Sequence, residues 1–463
     1  MDSERVVEPS AGFSRRELLL GVGAGLVGSR VLTSRALAAA PLARDGRIGG
    51  TCHPRFAEVR REFVRNFDER GEVGASLCVE VDGERVVDLW GGVARVDTGE
   101  TWRADTLSHV WSATKGATAL CAHLLVDRGE LDLDAPVATY WPEFAQQGKG
   151  GITVAMVLAH QAGVPAIRER LPQGAFYDWD FMVEQLAAEA PFWEPGTRNG
   201  YHALTLGFLV GELVRRITGR SLGTFFREEI AQPYDLDFFI GLPESEERRV
   251  APMIDPDPPA PGEKLSIFLE KAITEPGSIP ALVFFNTGGY TNPGEADTRA
   301  AHEAQIGASG GMTNARGLAR MYGAAIGGEL VSDDAIARMS RVASATSLDA
   351  AGFIPTRFAL GFVKSMDNRG QAPGKQDSVI LGEQAFGHSG FGGGIGFADP
   401  QVRMSFGYTM NKMGQGTALN RRGQSLVDAV YRALGFASDA SGSWIDATGR
   451  EPAGACPRRV PRR

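Results

Sequence analysis

The sequence predicts an α+β fold, with one antiparallel sheet built from the two chain ends and a helical region inserted between them. Three observations carry this expectation. Apolar and polar residues alternate over 74–97, and strand patterns return only at 357–364, 393–398 and 402–410. The residues from 112 to 218 carry helical patterns. Strands and helices do not alternate along the chain as they would in a doubly wound parallel sheet.

Local signals justify each element in turn. The first alternating run passes through Ser76, Cys78 and Glu80, the second through Arg85, Val87 and Leu89, with Asp82-Gly83 between them. Asp-Gly between two such runs predicts a hairpin. A helix is predicted over 112–128, ended at Arg128-Gly129 by a glycine just past its last turn. Further helices are expected at 152–163, 178–189 and 203–218, the last stopped by Gly219. From 242 to 308, proline, glycine and acidic residues predict a long irregular insertion. A helix follows at 314–327, with Thr313 as its expected N-cap. After the three later strands, an amphipathic helix from about 419 to 435 completes the body. The expected organisation is a segment 1–38 outside the fold, a linker at 39–55, a body of two subdomains at 56–437 and a tail at 438–463.

Composition excludes several classes. Of 463 residues, 43% are hydrophobic and 22% charged, as in soluble globular proteins rather than disordered or membrane-spanning ones. A net charge of −8 with no basic block in the body offers nothing to nucleic acid or to an anionic membrane. The clustered Arg458, Arg459, Arg462 and Arg463 read as a solvated tail. No C-x-x-C pair exists, which excludes zinc-ribbon and thioredoxin-like chemistry. Cys78 and Cys121 are expected in the core, while Cys52 and Cys456 could pair in an oxidising compartment. The seven histidines never fall into metal-ligand spacing, so no metal is expected. Glycines 392, 393, 394 and 396 precede a strand and read as a tight turn rather than a dinucleotide loop, so no cofactor is expected either.

The first residues carry an address. Ser14-Arg15-Arg16-Glu17-Leu18-Leu19-Leu20 opens an uncharged stretch over 18–29, and Ala36-Leu37-Ala38 reads as a small-x-small cleavage site. Twin arginine, a short mild apolar stretch and that cleavage site are the parts of a twin-arginine export signal. The stretch is too short to span a bilayer. A mature protein starting near Ala39, in the periplasm or outside the cell, is therefore expected.

Chemistry concentrates at Ser112-Ala113-Thr114-Lys115, the only S-x-x-K in the chain. Positions three apart share a helix face, so the serine hydroxyl and the lysine amine can meet. The helix N-terminus and burial both disfavour the ammonium form. A neutral amine can take the serine proton and make the hydroxyl a nucleophile. S-x-x-K alone arises often by chance, and what strengthens it lies further along. Tyr201 follows Glu194-Pro195-Gly196-Thr197 and precedes an apolar helix, and Gly387-His388-Ser389-Gly390 leads into Phe391 and a strand.

In that order these motifs resemble the β-lactamase-related serine hydrolases: class C β-lactamases, D-alanyl-D-alanine carboxypeptidases and the esterases of the same fold. The esterase branch and the lactamase-like proteins are nearest in pattern. Supporting stretches are Val110-Trp111, Leu158-Ala159-His160-Gln161-Ala162-Gly163, the run from Gly310 to Gly317, and Phe397-Ala398-Asp399-Pro400. The resemblance implies a serine β-lactamase/penicillin-binding-protein-like fold. It implies Ser112 as nucleophile, Lys115 as general base or proton partner, and Tyr201 as the proton shuttle to the leaving group. His388 would line the far side of the substrate, with Ser389 and Gly390 in the same motif. The backbone N–H groups of Ser112 and Phe391 would form the oxyanion hole.

Two departures from the family pattern point to the substrate. Tyr201-His202-Ala203 lacks the asparagine of Y-x-N, and the third motif is His-Ser-Gly rather than Lys-Thr-Gly. Both changes weaken the grip on an anionic lactam or peptide, and neither harms attack on a neutral ester. Two competing matches are set aside. Tyr290-Thr291-Asn292 fits Y-x-N but lies in the insertion, with no helix expected to hold it. Ser309 fits G-x-S-x-G but lacks a buried strand before it. His160 is expected to serve a hydrogen-bond network, and His123 to fill space. The resulting expectation is a serine hydrolase of small-molecule esters, acting through an acyl-enzyme. The alternatives are a lactamase or D-alanyl carboxypeptidase, an acyltransferase, or a catalytically silent binding protein.

Overall fold

The computed structural model describes residues 48–448 apart from 260, 261 and 263. The expected export segment and Cys456 lie outside the described residues. The main sheet takes β1 Ile48–Cys52, β2 Gly74–Val81, β3 Glu84–Arg95 and the short β4 Glu100–Thr101 from the first part of the chain. Three further short strands, β5 Ser108–His109, β6 Phe238–Ile240 and β7 Gly311–Thr313, form a separate small sheet in the order β5-β7-β6. A hairpin of β8 Ser344–Thr346 and β9 Thr356–Phe358 follows. The chain then returns to the main sheet with β10 Phe386–Ser389, β11 Ile395–Asp399 and β12 Met404–Met410. The main order is β1-β3-β2-β12-β11-β10, with every pair antiparallel. The two chain ends therefore meet where β2 pairs with β12, as the sequence predicts.

The two faces of this sheet are built differently. On one face Leu77 and Val79 of β2 join Phe406 in an apolar layer. Val59 and Phe63 of the helix Ala57–Glu69 and Leu426 and Val430 of the helix Arg421–Leu434 cover it. On the other face Cys78, Gly407 and Gly396 lie side by side in register across β2, β12 and β11. The helix Ala315–Ile326 sits directly on this stripe of small residues. A Cβ at Gly407 would lie 2.2 Å from the Ala315 carbonyl, so no larger residue fits without moving the helix.

The inserted helical region has its own core around the helix Thr114–Asp127. Twelve of its fourteen residues are buried, and a helix without a polar face belongs in a core. Leu120 and Leu125 are fully buried there, and truncating either to alanine would cost about 2–5 kcal/mol. Cys78 and Cys121 are both buried, as expected of core cysteines.

Several expectations need correction. The helix expected at 152–163 is only Val154–Leu158, because His160 adopts φ +59 and turns the chain toward residues 199–202. That turn lets His160 Nδ1 accept from the His202 N–H and Gln161 donate to Asn199 Oδ1. Thr313 does not cap the next helix. It lies in β7 with its hydroxyl donating to the Asp237 carbonyl, and Asn314 is the cap, accepting from Gly317 N–H at 2.9 Å. The strand expected at 357–364 is confined to β9, since Ala359 N–H closes back on the Phe362 carbonyl. The insertion at 242–308 is not irregular throughout. It contains the helices Ile267–Thr274, Ile279–Phe285 and Arg299–Glu303, capped by Ser266, Ser278 and Thr298. The 39–55 linker ends in the edge strand β1, and Phe436–Ser438 pairs with Ile445–Asp446 at the start of the expected tail.

Candidate active site

The small sheet aims the nucleophile. Ser108 and His109 pair with Thr313 and Met312, which pins the chain just before Ser112. Trp111 then takes φ +45, a left-handed conformation that costs a bulky residue about 1–3 kcal/mol. Stacking of its ring on His109, with centroids 4.4 Å apart, and a 2.6 Å hydrogen bond from Thr114 Oγ1 to its carbonyl hold it there. The strand thereby gives way within three residues to the turn Trp111–Ala113 and the helix behind it.

Lys115 lies fully buried one turn on, with Nζ 2.9 Å from Ser112 Oγ, 2.6 Å from the Ala203 carbonyl and 2.8 Å from the Ala308 carbonyl. The carbonyls can only accept, so they claim two N–H bonds. The third tetrahedral direction points at Ser112. Burial holds the amine well below the usual lysine range, which favours the neutral form. A neutral amine bonded in this way turns its lone pair toward the Ser112 hydroxyl.

Tyr201 completes a chain of three groups. Its hydroxyl donates to Ser112 Oγ at 2.9 Å and lies 3.4 Å from His388 Nε2. Burial raises the phenol above its usual range, so it remains a proton donor at neutral pH. Its ring is wedged between Phe358, stacked at 5.9 Å and 7°, and His388, stacked at 5.9 Å and 26°. His160 packs on it at 5.0 Å and serves the network expected of it. Protons can therefore run from Tyr201 to Ser112 to Lys115, the connectivity that nucleophilic attack and leaving-group protonation require.

A family model described as Beta-lactamase matches residues 60–430. The chain belongs to the beta-lactamase family. It is 37% identical over 375 residues to the Esterase/beta-lactamase LipL of Mycobacterium tuberculosis, covering 79% of this chain and 83% of that protein. Among solved structures it resembles a family VIII carboxylesterase at 38% identity and a TM-score of 0.71, over 84% of this chain and all of that one. A penicillin-binding protein homologue from Caulobacter crescentus matches at 35% identity and a TM-score of 0.73, over 84% of this chain and all of that one.

In this beta-lactamase-family chain the third motif sits on β10, the edge strand of the main sheet, facing the nucleophile. His388 Nδ1–H donates to the Ser389 carbonyl at 2.7 Å, which leaves Nε2 as an acceptor toward Tyr201. Burial lowers the imidazole to about 3. His388 is thus uncharged at neutral pH. Ser389 and Phe391 line the same cleft as Ser112. Gly390, between them, packs on the Val110 carbonyl, where a Cβ would come within 2.3 Å. This close approach holds the motif against the chain just before Ser112. Gly392 and Gly393 have φ +89 and +110, and Gly393 N–H bonds the Gly390 carbonyl, which makes the tight turn expected there.

The competing residues fall elsewhere. Tyr290 is buried with its hydroxyl 3.0 Å from Ser309 Oγ, while Tyr201 is the tyrosine at Ser112. Ser309 borders the cleft, but its hydroxyl partner is this phenol; Lys115 reaches only the carbonyl of the preceding Ala308. His123 is buried with Nε2 2.9 Å from the Leu360 carbonyl.

Two parts of the site escaped sequence reasoning. One is the cleft wall. An empty volume of about 1110 Å³, including its mouth to solvent, opens beside Ser112. The inserted helices line it with Phe268, Val283 and Phe284, and the segment after β8 with Ile354, Phe358, Val363 and Met366. The other is Asp349, a fully buried carboxylate that accepts from the backbone N–H of Tyr201 at 3.0 Å. The only local signal for it is Asp349-Ala350-Ala351-Gly352, an Asp that can bond the N–H groups just ahead of it.

Proposed function

We propose that this protein is a serine esterase that hydrolyses uncharged carboxylic esters through an acyl-enzyme on Ser112. One observation carries the reading: among the described residues, no side chain on the wall of the Ser112 cleft bears a formal charge. An anionic lactam would leave water for this cleft without a cation to receive its carboxylate, at a cost of several kcal/mol. A neutral acyl chain gains about 25 cal/mol for each Å² of apolar surface it buries.

In this mechanism Lys115 takes the Ser112 proton as Oγ attacks the ester carbonyl. The backbone N–H groups of Ser112 and Phe391 receive the oxyanion. Tyr201 passes a proton to the departing alcohol, and the proton that Lys115 took from Ser112 restores its phenol. Water then repeats the attack on the acyl-enzyme with the same relay reversed. The name of the M. tuberculosis relative joins esterase and lactamase, and the ester and carboxylesterase names among the relatives support the first activity here.

The test compares p-nitrophenyl butyrate with nitrocefin. The ester should be preferred in kcat/KM by about a hundredfold or more, since the lactam lacks two polar contacts each worth about 1–3 kcal/mol. Nitrocefin turned over more efficiently than the ester would replace the esterase reading with a lactamase one. His388→Lys, which restores a cation at the third motif, should raise lactam turnover relative to ester turnover.

The address belongs to the same reading. Export by the twin-arginine route rests on Arg15-Arg16, the apolar stretch and the Ala36-Leu37-Ala38 site. Full-length protein should appear outside the cytoplasm with its new N-terminus near Ala39. Arg15→Lys together with Arg16→Lys should retain it inside, and undiminished export of that double variant would dismiss the route.

A further inference from the structure

We propose that Asp349 is a positioning residue for Tyr201, a buried carboxylate that ties the tyrosine backbone to the loop walling the substrate cleft. Asp349 is fully buried, in the loop between β8 and β9. Its Oδ1 accepts three backbone N–H groups, from Tyr201 at 3.0 Å, Ala351 at 2.9 Å and Gly352 at 2.7 Å. Its Oδ2 accepts from Thr356 Oγ1 at 3.0 Å. A second strand of contact runs beside it, from Ala350 N–H to the Asn199 carbonyl at 2.8 Å.

Three of these partners, Tyr201, Gly352 and Thr356, line the cleft, and so does Ile354, whose carbonyl accepts from Asp349 N–H at 2.9 Å. One side chain thus joins the residue that must hold its phenol 2.9 Å from Ser112 to the wall that receives the substrate. Tyr201 lies outside any helix, ahead of Thr205–Thr218, so no helical hydrogen bond holds its N–H. Proton transfer is sensitive to displacements of a fraction of an ångström, so a loosened Tyr201 would slow chemistry more than binding. The carboxylate also favours the protonated phenol, in the same direction as burial.

This inference rests on the esterase reading, and the experiment separates the two. Steady-state hydrolysis of p-nitrophenyl butyrate and thermal melting would be measured for wild type, Asp349→Ser, Asp349→Asn, Tyr201→Phe and the double variant Asp349→Ser/Tyr201→Phe. Serine can still bond the N–H groups of Ala351 and Gly352 but is too short to reach Tyr201. It should lower kcat about 30-fold with KM within about threefold, as loss of transition-state positioning does. Asparagine keeps an Oδ1 acceptor for all three N–H groups while the Thr356 hydroxyl reverses to accept. It should stay within about threefold of wild type. Once the phenol is gone its placement no longer matters, so adding Asp349→Ser to Tyr201→Phe should change kcat by less than about twofold.

An undiminished loss in the Tyr201→Phe background, or a loss confined to KM, or an asparagine variant as slow as serine, would overturn the proposal. If the serine variant shows no cooperative melt, Asp349→Glu carries the same cycle, because it keeps the charge and displaces the Tyr201 contact by a methylene. Wild type inactive on every ester would instead overturn the esterase reading.

Discussion

Ser112→Ala is expected to lower kcat/KM for p-nitrophenyl esters by at least about ten-thousandfold, since removing a covalent nucleophile leaves only binding and oxyanion stabilisation. The fold should survive. Lys115 keeps its two carbonyl partners, Ala203 and Ala308, and the Tyr201 hydroxyl keeps His388 within 3.4 Å. Stability should fall by no more than about 1 kcal/mol. Labelling by a fluorophosphonate should vanish with Ser112 and persist in Ser309→Ala, whose hydroxyl bonds Tyr290 instead of a base. Activity retained in Ser112→Ala and lost in Ser309→Ala would transfer the nucleophile to the other serine.

Lys115→Met should cost about a thousandfold in kcat/KM, within the range for a lost general base. Methionine fills most of the lysine volume, so the effect is on chemistry more than on packing. The amine must be neutral to take the Ser112 proton, so wild-type activity should fall as pH drops through a lysine value well below 10.5. The same shift acts on stability. Between the lowered folded-state value and 10.5 the unfolded chain binds a proton that the folded chain does not, so stability rises with pH across that window. Lys115→Met removes this contribution, and denaturant titrations should give it a shallower rise than wild type. Lys149 and Lys364, both pushed down to about 8 by burial, contribute alike to the two proteins and cancel in the difference. Coincident slopes would mean that Lys115 stays protonated in the folded state and cannot be the base.

The parts of the molecule legible in the sequence are those set by neighbours along the chain. Asp82-Gly83 between two alternating runs determines the hairpin of β2 and β3, because that pair of residues accepts the turn and the period of two sets the faces. Gly219 ends the helix Thr205–Thr218 at φ +70 for a similarly local reason. Ser112 and Lys115 meet because three residues make most of a helical turn. Tyr201 and His388 were found by motif order; the structure bonds Tyr201 to Ser112 and sets His388 beside Tyr201 on the same cleft.

Tertiary structure alone decided the rest. The helix begun at Val154 ends early because His160 is needed against Tyr201 and His202, a demand from residues about 40 positions away. Asn314 rather than Thr313 caps the next helix because β7 claims Thr313 for pairing with β5 and β6. Burial without a counter-charge sets the charge states of Lys115 and His388, and no run of residues encodes burial. Asp349 reaches Tyr201 across 148 positions, and the apolar cleft is assembled from segments between residues 111 and 418. A sequence records which groups can bond with those next to them. The partners of a buried donor or acceptor are chosen by the packing of the whole chain, because only there is water removed and every polar group made to find another.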